Sequence, residues 1–211
     1  MKTNFPIGTL VLFAILVSVA ILVITFISKN SPQAPSELAA VLRPAPKLLQ
    51  AFTFMDQKGK PYTQVNLQGK WTLLFFGYTH CPDICPTTLI VLASLKKQLE
   101  TQLNSAKGVQ VVFVSVDPQR DKPVILAKYL SYFHKDFIGI TAGQGKTRAF
   151  AGQFGAMYFK EKQTNSDNYL MAHASSIYLI NPGTELVASF SPPHDHNTIA
   201  SQILAIRNLK L

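Results

Sequence analysis

Trp71-Thr72-Leu73-Leu74-Phe75-Phe76-Gly77-Tyr78-Thr79-His80-Cys81-Pro82-Asp83-Ile84-Cys85-Pro86 contains both cysteines of this 211-residue chain, four positions apart. The apolar run Trp71 to Phe76 has β-type composition, and a helical pattern begins at Pro86, so the passage reads as strand, turn and helix start. A thiol at such a turn faces solvent at the carboxyl edge of a sheet, where the helix dipole and free backbone N–H groups stabilise a thiolate. Two cysteines confined to one short motif make a site and not a disulfide framework.

Downstream, Leu89, Leu92, Ala93, Leu95, Leu99 and Leu103 recur at helical spacing. Val109 to Val116 then reads as a buried strand of the parallel type, so the first two strands and their helix form a right-handed βαβ unit. That strand ends at Asp117-Pro118. Pro123 opens a helix carrying Ile125, Leu126, Tyr129, Leu130 and Phe133. A short strand (Phe137 to Thr141), a helix (Lys146 to Phe154), an edge-like strand (Met157 to Phe159) and a polar loop (Glu161 to Tyr169) follow. Ser175 to Ile180 and Glu185 to Phe190 pair across Asn181-Pro182-Gly183-Thr184, and a last helix runs from about Asn197 to Leu209. Upstream, Ala51 to Phe54 and Tyr62 to Val65 form a hairpin turning at Lys58-Gly59. This alternation, closing on a hairpin and a helix with the cysteines at the first strand-to-helix turn, predicts an α/β thioredoxin-like sandwich. The cysteine spacing departs from redox thioredoxins, which place two residues between the thiols.

The amino end is different in kind. Phe5 to Ile27 carries no charge, and Ile7 to Ile24 is long enough to cross a hydrocarbon core as a helix. It reads as an uncleaved transmembrane anchor over 1–29; a cleaved signal peptide competes, but the apolar run is long and no small-x-small site follows Ser28. Residues 30–47, with four prolines between Asn30 and Pro46, read as an extended tether, and 48–211 as the folded domain. The net charge of +9 is spread along the chain without a basic stripe, which argues against nucleic-acid binding.

Two thiolates four apart at a helix start can face one point in space. Two soft sulfurs suit Cu(I), whereas zinc normally takes four ligands in a closed tetrahedron. The third ligand expected here is His173, at the sheet edge where this topology returns the chain over the cysteines. A Cys-Cys-His set can hold Cu(I) trigonally and accept Cu(II) with an added oxygen ligand. Of the other candidates, His80 points away from its neighbour Cys81. Asp83 is a turn residue or a hydrogen-bond acceptor beside the site, Asp117-Pro118 ends a strand at the same edge, and Met171 packs in the core. His194 and His196 flank an N-cap at Asp195, and His134 lies at the surface.

Three stretches together, Phe76 to Pro86, Val114-Ser115-Val116-Asp117-Pro118-Gln119-Arg120-Asp121, and His173 to Pro182, resemble the Sco/SenC family of copper-binding assembly factors for cytochrome c oxidase. The resemblance runs from about Phe52 to Ile206, and an amino-terminal anchor fits it. It implies Cys81, Cys85 and His173 as copper ligands, with copper passed to the binuclear site on the oxidase's copper-bearing subunit. Other copper chaperones and a thiol reductant are the further partners expected. The alternative is a thiol-disulfide oxidoreductase using Cys81 and Cys85 on oxidase or other exported cysteines. In the metallochaperone reading the chain is not an enzyme. A dithiol copper site and a single early anchor favour a domain outside the cytoplasm, and the absence of an Arg-rich transit segment favours a bacterial inner membrane, with the domain in the periplasm, over a mitochondrion.

Overall fold

The computed structural model describes residues 7–30, 38–102, 109–161 and 169–209. The chain divides into two units, Met1–Ser36 and Glu37–Leu211. The first holds α1 (Ile7–Asn30), on which Val11, Leu12, Phe13, Ile15 and Leu16 stand exposed. Among the described residues no helix is long and apolar enough to cross a membrane. The anchor expected over 1–29 therefore rests on the sequence pattern.

In the second unit the strands are β1 (Leu42–Leu48), β2 (Thr53–Asp56), β3 (Pro61–Thr63), β4 (Trp71–Gly77), β5 (Val109–Ser115), β6 (Ile138–Thr141), β7 (Tyr158–Lys160), β8 (Met171–His173), β9 (Ile177–Ile180) and β10 (Glu185–Phe190). The helices are α2 (Ile84–Gln102), α3 (Pro123–Ser131), α4 (Gln144–Phe154) and α5 (His196–Asn208). One sheet has the order β1-β10-β9-β4-β5-β6-β2-β3, and β7 pairs with β8 apart from it. β4, β5 and β6 are parallel neighbours, while β9 lies antiparallel on the other side of β4. A central parallel pair joined by a helix, followed by an antiparallel hairpin and a closing helix, is the thioredoxin-like arrangement.

The sequence reasons for this order are local. β5 is buried along its whole length because helices cover both faces of the sheet, which explains its unbroken apolar run. Successive side chains of a strand point to opposite faces. Phe75 and Phe113 lie on the face where Phe113 meets Tyr129 of α3, and Phe76 lies on the face where it meets Phe150 and Phe154 of α4. α2 turns Cys85, Leu89, Leu92, Lys96 and Leu99 inward at spacings of three and four. The buried Lys96 ammonium is satisfied by Glu100 at 2.6 Å and the Val109 carbonyl at 2.9 Å. α5 starts at an N-cap, where the Asp195 carboxylate accepts the Thr198 N–H at 2.8 Å.

Three expectations shift. The tether does not extend to 47: β1 joins the sheet edge against β10, and Leu38 and Leu49 are buried. Pro44 and Pro46 disguised it, and they fit because an edge strand leaves one side unpaired and the ladder is irregular between Leu42 and Lys47. Met171–His173, to which the sequence pattern assigns no element, pairs as β8 with β7. α2 begins at Ile84, two residues before Pro86, which puts Cys85 inside the first turn. Residues 31–37 of the tether, Leu103, and 162–168 of the polar loop lie outside the described residues.

The aromatic packing of Phe150 against Phe52, Phe54, Phe76 and Phe154, with centroids 4.5 to 6.1 Å apart, joins α4 to the sheet. Phe150→Ala is expected to lower unfolding free energy by about 3–5 kcal/mol, read as a fall in urea midpoint at unchanged m-value.

Candidate metal centre

Cys81 sits in the loop after β4, Cys85 in the first turn of α2, and His173 at the end of β8. Their donor atoms all lie within 4.8 Å of one another, with Cys85 Sγ 3.4 Å from His173 Nε2. Cys85 is fully buried and Cys81 half-buried, and both are free thiols. His173 Nδ1 lies 3.0 Å from the Ala174 carbonyl, which can only accept, so Nδ1 carries the proton and Nε2 turns its lone pair toward the sulfurs. Phe75 and Tyr78 hold the imidazole edge to face at centroid distances of 5.9 and 5.8 Å.

Gly77, the last residue of β4, makes this packing feasible. A Cβ there would meet Phe113 Cε2 at 2.7 Å and Cys85 Sγ at 2.9 Å. The strand must therefore end in glycine for the buried sulfur to lie against it.

The loops are tied together by a carboxylate that the sequence reading passed over. Asp121, fully buried, accepts the Thr79 hydroxyl at 2.6 Å, the Thr79 N–H at 3.1 Å and the Ser115 hydroxyl at 2.7 Å. Burial pushes its carboxyl up, against the opposing pull of those Thr79 and Ser115 bonds. One loop over, Asp117 pairs with Arg120 and accepts the Tyr169 hydroxyl at 2.8 Å. The Tyr169 ring has the Arg120 guanidinium and the Lys160 ammonium each 3.7 Å from its centroid. Thus the Asp117-Pro118 turn braces the residues leading into β8 and is not part of the donor cluster. Motif spacing alone could not reveal this; the signal was two aspartates just past a strand end.

The remaining candidates stand outside the donor cluster. His80 Nδ1 lies 3.0 Å from the Thr79 hydroxyl, whose proton is already given to Asp121, so His80 donates there. Asp83 precedes α2, its carbonyl accepting the Thr87 N–H at 3.2 Å. Met171 is buried in the core. His194 lies 3.1 Å from the Phe190 carbonyl and His196 opens α5. His134 is half-buried and stacks on Phe137, where a surface position was expected.

The thiols titrate as a pair. A hydrogen bond from Cys85 is the main cause holding Cys81 down at about 4, with further help from the N–H groups of Cys85 and Asp83, against the cost of burial. The same bond and burial push Cys85 up. One proton is held on Cys85 and the half-exposed sulfur is the thiolate. In the reduced, metal-free chain, iodoacetamide should therefore modify Cys81 at a rate nearly constant from pH 6 to 8, followed by peptide mass spectrometry. An ordinary thiol slows about tenfold for each pH unit below its pKa, and such a slope at Cys81 would contradict the assignment.

The SCO1/SenC family model matches residues 41–208. The chain is 37% identical over 153 residues to "Protein SCO1 homolog 1, mitochondrial" of Arabidopsis thaliana, covering 72% of this chain and 45% of that protein. The chain spans about half the length of several curated relatives it matches. The crystal structure of Arabidopsis thaliana ScoI with copper bound matches with a TM-score of 0.70 at 36% identity, over 77% of this chain and 99% of that one. Yeast Sco1 with copper bound gives a TM-score of 0.70 at 28% identity, over 78% and 91%. The family model's match over residues 41–208, together with these identities and the shared fold, establishes that the chain belongs to the SCO1/SenC family.

Proposed function

We propose that this chain is a membrane-anchored copper metallochaperone that takes one copper ion on Cys81, Cys85 and His173 and passes it to the copper-bearing subunit of cytochrome c oxidase. The observation that carries the reading is the imidazole lone pair aimed at the buried Cys85 sulfur, with its other nitrogen tied to the Ala174 carbonyl. Ligand bonds of about 2.0–2.3 Å put three trigonal donors roughly 3.5–4 Å apart. The 3.4 Å Cys85–His173 separation already has that scale, and a small inward movement of Cys81 completes it. Two thiolates and one imidazole favour Cu(I); an added oxygen ligand on the Cys81 side accommodates Cu(II).

The residues' own work is to present the donors in the right protonation states. Cys81 is ready as a thiolate, Cys85 loses its proton as the ion enters, and His173 turns Nε2 toward the sulfurs. Oxidation of the two thiols to a disulfide removes both sulfur ligands, so a thiol reductant must act before loading. The uncharged run Phe5 to Ile27 supports an anchor, and an exported thiol site supports a bacterial inner membrane with the domain in the periplasm. The SCO1 relatives and the solved relatives with copper bound support the copper reading.

The thiol-disulfide oxidoreductase alternative is favoured by one observation, the lowered Cys81 thiolate hydrogen-bonded to its partner thiol. His173 separates the two. Anaerobic Cu(I) titration of the full chain in non-ionic detergent should give one equivalent for the wild type. Cys81→Ala, Cys85→Ala and His173→Ala should each weaken binding at least a hundredfold, measured by competition with a chromophoric Cu(I) chelator. Unchanged affinity in His173→Ala together with retained disulfide reduction would favour the oxidoreductase.

A further inference from the structure

We propose, resting on the metallochaperone reading, that Tyr129 is a positioning residue of the metal centre: its buried hydroxyl is the hydrogen-bond donor that the Cys85 sulfur takes up when copper is bound, and it tilts the site toward Cu(I).

The fold brings the phenol to the thiols. Gly77 and Phe113 lie on one face of the sheet, because β4 and β5 run in register from Trp71↔Val109 to Gly77↔Ser115. On that face the Phe113 ring and the Cys85 sulfur close on the same point above Gly77, at 2.7 and 2.9 Å from where its Cβ would stand. α3 covers this face, with the Tyr129 ring centroid 6.1 Å from that of Phe113 and 5.2 Å from that of Phe133. Helical side chains lean toward the helix N-terminus, and α3 begins at Pro123, just after the loop that leaves the carboxyl edge of β5. The phenol therefore leans toward the edge that carries Cys85.

Its hydroxyl is otherwise unengaged. The oxygen is closed off from solvent and has no hydrogen-bond partner among the described residues. Such a group destabilises a fold unless something else requires it. Burial pushes the phenol up, and Cys85, Cys81 and Asp121, in that order, push it further, so it keeps its proton and the acidic groups acting on it are those in and around the site. Thr88, on the turn after Cys85, also has a buried hydroxyl without a partner. A helical threonine can turn its hydroxyl onto the carbonyl four residues back, whereas a phenol has no such local acceptor.

Charge balance explains what the donor does. Two thiolates exceed one Cu(I) by one negative charge, and they match one Cu(II). The Cu(I) form therefore gains more from an O–H aimed at sulfur, and the gain is larger where water is excluded. A hydrogen bond to a metal-bound thiolate also withdraws electron density from the sulfur, which favours the lower oxidation state.

The test is Tyr129→Phe, which keeps the ring packing and deletes the hydroxyl, in the full chain in non-ionic detergent beside wild type, Thr88→Val and His173→Ala. In the metal-free chain its melting temperature should equal or exceed that of wild type, since an unpaired polar group is lost. Cu(I) affinity, by competition with a chromophoric chelator, should fall about tenfold, while Cu(II) affinity changes little. That selective loss is a fall of about 59 mV in the Cu(II)/Cu(I) potential of the site. The sulfur-to-Cu(II) charge-transfer band should move to longer wavelength, because a thiolate without its donor is easier to oxidise. A lower melting temperature with equal losses for both oxidation states would make Tyr129 a packing residue and overturn the proposal. An unmoved band with unchanged Cu(I) affinity would do the same, as would a selective loss in Thr88→Val in place of Tyr129→Phe. Copper lost from His173→Ala but held fully by Tyr129→Phe would remove the donor and leave the metallochaperone reading standing; a wild type that takes no copper would overturn both.

Discussion

The missing side chain at Gly77 is the constraint on which the metal centre depends. β4 delivers the chain to the sheet's carboxyl edge, and only a residue without Cβ lets the Phe113 ring and the Cys85 sulfur share the space above it. Parallel pairing of β4 with β5 from Trp71↔Val109 to Gly77↔Ser115 brings the next loop to the same level. Ser115, at the end of that register, then donates to Asp121. The sheet thus fixes both the floor under the thiols and the origin of the carboxylate that holds their loop.

Two aspartates divide the work of bracing. Asp121 is turned inward and takes three donors from Thr79 and Ser115, so the backbone just before Cys81 is held by charge-assisted hydrogen bonds in a site without water contact. Asp117 is turned toward Tyr169 and Arg120, and so reaches the segment that leads into His173. Both loops that carry donors are therefore tied to the one segment between β5 and α3. Burial of Asp121 works against its charge, which makes those hydrogen bonds necessary and not decorative.

Much of this was legible in the chain. The cysteine motif, the apolar strand before it and the helical spacing after it located the site, because strand-to-helix turns have strong local signals. His173 was found through topology, since β9 had to return beside β4. β1 was hidden by Pro44 and Pro46, whose meaning reverses at a sheet edge. β8 has three residues, too few for a periodicity, and its partner β7 is equally short. Asp121 and Thr79 were missed because forty-two residues separate them and nothing in either local pattern requires the other.

The tautomer set by Ala174 has a directional consequence for cargo movement. With Nδ1 engaged and Cys85 enclosed, the enclosed sulfur and Nε2 form the back wall, and the half-exposed Cys81 forms the doorway. Under the proposed function, a foreign ligand would displace Cys81 first and the back wall last, so handover would proceed stepwise through a shared ion instead of by release into solvent. The face around Cys81 would then be the side on which a recipient's own donors arrive.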